Sequence, residues 1–390
     1  MNYYDYKNMG LHIDLSRGKP SKEQLDIYLD MFNFNEYISK DGTDCRNYGV
    51  LDGIIEAKEL FCEIFECNNN EVFVAGNSSL NLMYELIVSL CIKEFRGKKK
   101  LLCPSPGYDR HFKIGEYLGF ELIPIKMNED GPDMDKIEEL VSKDESIKGI
   151  FCVPVYSNPD GCVYSDETVF RFAKLKPKAK DFKILWDNAY MLHHFTDEEI
   201  KIPNLLEEAK KYGNEDMVYM FFSTSKITFP GAGISAVSSS SKNIKWIKDN
   251  LSISNICFDK LNQLKHVRFL GNLDNIKRIM KEHAKYIRPK FDIIFKIFDK
   301  NFGERNQVFR WTKPKGGYFM SLYIKPGCAK KLEMLCRDAG LILTPAGSAF
   351  PYSIDELDTH IRFAPTNSTL EDIEVATRLL CEAVKVVVEL

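Results

Sequence analysis

The sequence predicts an α/β protein with a mostly parallel sheet covered on both faces by helices. Apolar runs of strand length alternate with helical stretches along much of the chain, the pattern of strand–helix units. The clearest run, residues 149–156, is apolar throughout, as a strand buried on both faces requires. Three runs end in chemically capable side chains. Val153 to Tyr156 leads into Ser157-Asn158-Pro159-Asp160-Gly161, Ile184 to Trp186 into Asp187-Asn188-Ala189-Tyr190, and Met217 to Phe222 into Ser223-Thr224-Ser225-Lys226. In open sheets of this class ligands sit beyond the carboxyl ends of the strands.

In order, residues 1–45 are mixed and polar, with a short helix expected over 21–32 and Ser21 as its N-cap. A helical pattern follows through Ile54, Ala57, Leu60 and Phe61. Glu71 to Ala75 suits a strand, after which Gly76-Asn77-Ser78-Ser79 opens an apolar helix running to about Phe95. Such a glycine turn aims backbone N–H groups at an anion, although Asn77 or Ser78 acting as an ordinary N-cap explains it equally well alone. Leu101 to Cys103 is a strand entering Pro104-Ser105-Pro106-Gly107-Tyr108. Phe120 to Ile125 is the next, and a helix begins at Asp135. His193 and His194 are adjacent, a poor two-ligand face, so no metal site is expected. Lys226 precedes a loop with Pro230, Gly231 and Gly233. Leu273 to Phe302 is a long helix bent by Pro289, leading to a smaller C-terminal body. There a strand begins at Gly316-Gly317-Tyr318-Phe319, a turn spans Leu341 to Gly347, Arg362 sits in an apolar strand, and residues 369–390 close the chain as a helix.

The chain has 390 residues, 44% of them hydrophobic, enough for a large core. A formal net charge of −3 gives no sign of nucleic-acid binding. Eleven cysteines without a Cys-x-x-Cys pair suit reduced thiols and a cytoplasmic setting. Met1-Asn2-Tyr3-Tyr4-Asp5 has no signal-peptide character, and no apolar run approaches membrane-spanning length.

A lysine just past a strand is most often a solvated end. Three strand ends delivering an Asn, an Asp with a Tyr, and a Lys instead suit pyridoxal phosphate. The lysine amine forms a Schiff base with its aldehyde, and an aspartate pairs with its ring nitrogen so that the ring draws electrons. Asn158 and Tyr190 are donors for its phenolic oxygen.

From Arg17-Gly18-Lys19-Pro20 to Ile361-Arg362-Phe363-Ala364-Pro365, the chain resembles fold-type I pyridoxal-phosphate aminotransferases of the class I/II superfamily. Ser16-Arg17-Gly18-Lys19-Pro20-Ser21, Gly76-Asn77-Ser78-Ser79-Leu80 and Ser225-Lys226-Ile227-Thr228-Phe229 look most like a divergent bacterial group that contains aspartate aminotransferases. The resemblance implies a large cofactor domain over 46–285 with a mostly parallel sheet of about seven strands, a smaller α+β domain over 286–390, and an N-terminal segment, 1–45, packed on the latter. It implies that Lys226 is catalytic and that Tyr108 stacks on the cofactor ring. Asn77, Ser78, Ser79, Ser223 and Ser225 would hold its phosphate. Tyr48, five residues before Gly53, would reach a partner subunit's phosphate, so that a homodimer shares its sites. Arg362 would clamp the substrate α-carboxylate, with Asn158 and the Arg17-Gly18 loop beside the substrate. Arg17 is the candidate for the distal carboxylate of aspartate, with 2-oxoglutarate as the expected acceptor. Many relatives carry a phosphate-binding arginine eight residues past the lysine, where this chain has Ile234. The competing expectations are another enzyme on the same scaffold, such as a β-lyase, a non-enzymatic effector domain, and a dinucleotide-binding protein. The last two are disfavoured by the lack of a basic helix-turn-helix before Arg17 and of a Gly-x-Gly-x-x-Gly after a strand.

Overall fold

A computed structural model describes residues 1–303 and 308–389. Its largest sheet has eight strands, ordered Val72–Ala75, Ser235–Ser239, Val218–Ser223, Lys183–Asp187, Ile147–Cys152, Lys100–Ser105, Glu121–Asn128 and Gly131–Pro132. From Val218–Ser223 to Glu121–Asn128 every pairing is parallel. Ser235–Ser239 is antiparallel to both its neighbours, and Gly131–Pro132 adds a two-residue antiparallel edge beyond the seven expected strands. Side chains alternate between two cores. Ile184, Trp186, Met220 and Phe222 face one, while Leu185, Tyr219 and Phe221 face the other.

Two readings of the sheet need correction. The strand expected to run through Tyr156 stops at Cys152, because Pro154 has no N–H to donate to a ladder and Tyr156 takes φ 53°. The apolar character of residues 153–156 comes from burial against the second body, not from pairing. Ser235–Ser239 was not anticipated, since its composition is mostly serine. The strand is buried, and its hydroxyls bond inward, Ser235 Oγ to the Gly76 carbonyl at 2.8 Å and Ser239 Oγ to the Val218 carbonyl at 2.5 Å.

The second body is a three-stranded antiparallel sheet, Phe309–Trp311, Met320–Ile324 and His360–Phe363, packed with Ala329–Asp338 and Leu370–Val388. The helix Leu273–Phe302 joins the bodies. Its Ile276, Ile279 and Met280 lie in the core of the large sheet, and its Ile287, Phe291, Ile294 and Phe298 in that of the small one. The boundary expected at 285/286 falls inside this continuous helix, and of the segment 286–390 residues 304–307 and 390 lie outside the described residues. The N-terminal segment is divided. Ile13–Asp14 pairs parallel with Leu341–Ile342, and Tyr3, Tyr6 and Leu15 enter the small core, whereas Tyr28, Met31 and Cys45 enter the large one. The helix expected over 21–32 is a turn and a half, Lys22–Asp26, followed by a 3₁₀ segment, Leu29–Asn33.

Candidate active site

Strand Val218–Ser223 ends in a single 3₁₀ turn, Thr224–Lys226. Thr224 is buried and fastens the glycine loop back onto the strand. Its N–H donates to the Ile234 carbonyl at 2.9 Å, and its Oγ1 accepts from the Ile234 N–H at 3.0 Å. The loop runs so close that a Cβ on Gly233 would lie 3.0 Å from Thr224 Oγ1, which is why a glycine stands there. The Lys226 carbonyl accepts from Tyr318 Oη at 3.2 Å, and His193 Nε2 lies 3.3 Å from it. Its Nζ sits 4.6 Å from the centre of the Tyr190 ring. The side chain keeps some surface toward the cleft, but its amine is deep. Burial holds it below the ordinary lysine range, against an upward pull from Asp187. His194 turns away to Tyr156 Oη at 2.7 Å, so the two adjacent histidines share no target. Among the described residues no three His, Cys, Asp or Glu side chains gather as a metal site.

Asp187 ends its strand 4% exposed. One oxygen, Oδ2, faces His111 Nε2 at 3.2 Å, and the other, Oδ1, is buried with no partner. His111 comes from helix Asp109–Tyr117 and is held by stacking on Phe151 at 4.7 Å and by an edge contact with Tyr108 at 5.0 Å. The sequence reading passed over His111. Its signal was the spacing: three residues past Tyr108 at a helix start, it shares Tyr108's face.

Asn158, buried on its loop, accepts from Arg362 Nη1 at 3.4 Å. Arg362 also donates from Nη1 to Asp109 Oδ1 at 2.9 Å, from Nε to Thr344 Oγ1 at 3.2 Å and from Nη2 to the Ser16 carbonyl at 3.4 Å. Its guanidinium lies 5.1 Å from the Phe319 ring centre, and Gly18 closes over that ring so tightly that a Cβ would come within 2.5 Å of it. The ion pair with Asp109 was not foreseen.

At the other end, hydroxyls form a chain: Ser79 Oγ to Ser223 Oγ at 3.5 Å, Ser223 Oγ to Ser225 Oγ at 3.1 Å, and Ser225 Oγ to the Asn77 carbonyl at 2.7 Å. Ser78 is the N-cap of helix Ser79–Lys93 but makes no capping bond with its side chain. A cleft of about 800 Å³ opens here, lined by Asn77, Gly231, Gly233, Arg46 and Lys265. Arg46 is tied to Asp44 and stacked on Tyr37, whereas among the described residues no ion pair holds Lys265. Ile234 is a buried apolar residue whose backbone serves Thr224.

The fold thus gathers Lys226, Tyr190, Asp187, Tyr108, Asn158 and Arg362 into one cluster, with Ser79, Ser223 and Ser225 linked to Asn77, and Ser78 beside them, at the start of helix Ser79–Lys93. Two expected residues stand apart. Tyr48 is 77% exposed, and Arg17 is exposed with no hydrogen bond or ion pair among the described residues. The Tyr48 loop is nevertheless fixed, because buried Lys260 donates from Nζ to the carbonyls of Asn47 and Gly49. Two residues on, Asn262 Nδ2 donates to the carbonyls of Ala232 and Gly233 at 3.0 and 2.9 Å.

A family model described as aspartate amino-transferase matches residues 1–389. The chain belongs to that family. It is an aminotransferase. An aspartate aminotransferase of Corynebacterium glutamicum is 39% identical over 95% of this chain and 88% of its own length. The crystal structure of an aspartate transaminase from the same species superposes with a TM-score of 0.95 at 38% identity, covering 98% of this chain and 92% of the other. A Pyrococcus horikoshii kynurenine aminotransferase, solved with PMP, shares the fold at a TM-score of 0.81 and 18% identity, over 98% and 93% of the two chains. No helix among the described residues is long and apolar enough to cross a membrane.

Proposed function

We propose that this aminotransferase uses pyridoxal phosphate to move the amino group of aspartate to 2-oxoglutarate, as a cytoplasmic homodimer. The observation that carries the cofactor is Asp187 Oδ1, a buried carboxylate oxygen lacking a donor, in a cleft that also holds a desolvated lysine. Asp187 would receive the pyridinium N–H, Tyr108 would lie on the ring, and Asn158 and Tyr190 would bond its phenolic oxygen. The hydroxyl chain and the uncapped helix end would hold the phosphate, with Lys265 the cation at hand on the cleft wall. When bound, pyridoxal phosphate supplies an aldehyde and a ring that draws electrons from the amino acid's Cα.

The protein's own groups do the rest. Lys226 Nζ, whose hold on a proton is weakened by burial, would take the proton from the substrate's Cα and give it back. His111 Nε2, 3.2 Å from Asp187 Oδ2, would help orient that carboxylate toward the ring nitrogen. Arg362 orients the α-carboxylate, and Arg17 is the candidate for the distal one. Aspartate as donor is supported by the similarity to the Corynebacterium glutamicum enzyme. A homodimer is supported by exposed Phe32, Tyr48, Ile253 and Ile256, and by Tyr48 standing away from its own site on a braced loop. Tyr48 of one protomer would reach the phosphate bound by its partner.

Borohydride reduction of the holoenzyme followed by peptide mapping tests this reading. Label on Lys226, lost in Lys226→Ala together with turnover, is the expected result; label on another lysine overturns it. Half-reactions with a panel of amino acids are expected to show aspartate as the fastest donor.

A further inference from the structure

We propose that Asp109 is the free enzyme's own ligand for the carboxylate site, and that a substrate enters by displacing it from Arg362. This rests on the reading of Arg362 given above. A guanidinium has five N–H donors. Among the described residues, Thr344 takes the one on Nε, Asp109 and Asn158 take those on Nη1, and the Ser16 carbonyl takes one on Nη2. A carboxylate bound by two parallel hydrogen bonds needs two free donors, so an existing partner has to leave.

Asp109 is the partner that can. Thr344 and Asn158 are buried neutral groups, and the Ser16 carbonyl is backbone. Asp109 is an anion whose side chain is 26% exposed, while that of Arg362 is 7% exposed. It is the first residue of helix Asp109–Tyr117, so its side chain can swing toward the open cleft without breaking the helix. The exchange is one carboxylate for another, and the buried cation is never left without a counter-ion. A ligand without a carboxylate cannot make that exchange, which gives the site selectivity before any chemistry. The competition also lowers apparent affinity, because only the fraction of enzyme with Asp109 swung away is competent to bind.

The test uses the holoenzyme and maleate, an inert dicarboxylate, with binding read by titration calorimetry. Asp109→Asn is expected to bind maleate roughly tenfold or more tightly than wild type, the scale of one charge-assisted pair removed from competition. The KM for aspartate is expected to fall in the same variant. Asp109→Glu, which keeps the competing charge, retains the weaker binding. Asp109→Ser empties the position and is expected to behave as Asp109→Asn, so the test survives a folding defect in one variant. Neutral variants that bind maleate no better than wild type overturn the proposal. Arg362→Ala separates the two readings: if it binds maleate as well as wild type, the assignment of Arg362 fails, and if it alone loses binding while Asp109→Asn gains none, only the role of Asp109 fails.

Discussion

Asp187 acts on the charge of Lys226. Burial lowers the lysine's pKa and the aspartate raises it, so the amine is a compromise between the two. The sign of a test follows. A depressed pKa leaves the amine neutral, and reactive, at lower pH than an ordinary lysine, and removing the aspartate's charge extends that depression. In cofactor-free protein, the pH midpoint for arylation of Lys226 by trinitrobenzenesulfonate is expected below the ordinary lysine range, and lower still in Asp187→Asn. A midpoint at or above that range, or one that rises in the variant, would refute this. Both residues were legible because each lies within four residues of the end of an apolar run. Tyr190 and Asn158 were legible for the same reason. His111 was not, since its one signal, the spacing from Tyr108, lies in a polar helix start with no apolar run leading to it. The Asp109–Arg362 pair joins residues 253 apart in sequence, and only the docking of the small sheet against the large one brings them together.

At the level of elements, the loop bearing Asn158 is bolted to Met320–Ile324, the strand that pairs with the one bearing Arg362. In the small sheet Ser321 lies opposite Arg362 and Tyr323 opposite His360. Asp160, two residues past Asn158, accepts from the hydroxyls of Ser321 and Tyr323, and Ser321 Oγ also meets His360 Nε2 at 2.8 Å. Burial raises the Asp160 carboxyl, with the two hydroxyls pulling against it, while burial pushes His360 down to about 3 and Tyr323 up. Arg310, stacked on Tyr323 at 4.0 Å, is the nearby cation. A carboxyl raised in the folded state favours folding at low pH and loses that contribution as pH rises through its folded pKa. Asp160→Asn removes the burdened charge and keeps an acceptor. Its melting temperature relative to wild type is therefore expected to climb by about 2 °C or more between about pH 4 and pH 7. A difference that does not change with pH would refute the claim. His360, neutral in the folded protein over that window, titrates when the chain unfolds, and this contribution is common to both proteins and cancels in the difference. The turn at Asn158-Pro159-Asp160-Gly161 was plain in the sequence, but its partner was not. The long helix was read to its ends from the helical spacing of its Ile, Phe and Lys residues, and in the structure Asn272 and Gly303 cap it. Ser235–Ser239 escaped notice because its burial depends on serine hydroxyls finding carbonyls in neighbouring elements.

On the scale of the whole molecule, the mostly parallel sheet was readable from alternation, and the small sheet far less so, since its short strands pair across long stretches of chain. Helix Lys260–Leu270 has a part that no periodicity reveals. Within its first turn Lys260 braces the loop of Tyr48 and Asn262 braces the loop that follows Lys226. In the homodimer proposed above, one of these loops would serve the protomer's own site and the other its neighbour's. The two sites would then share a mechanical part. Cofactor contacting residues 231–233 in one protomer would steady the arm offered to the other, and the second equivalent would meet a site already partly ordered. Titration of the apoprotein with pyridoxal phosphate is expected to be sigmoidal, with a Hill coefficient above one that falls to one in Lys260→Met. A hyperbolic wild-type curve, or a protein that remains monomeric, would sever the connection. Loading would thus be a property of the pair, with fewer half-filled dimers than independent filling of two sites gives.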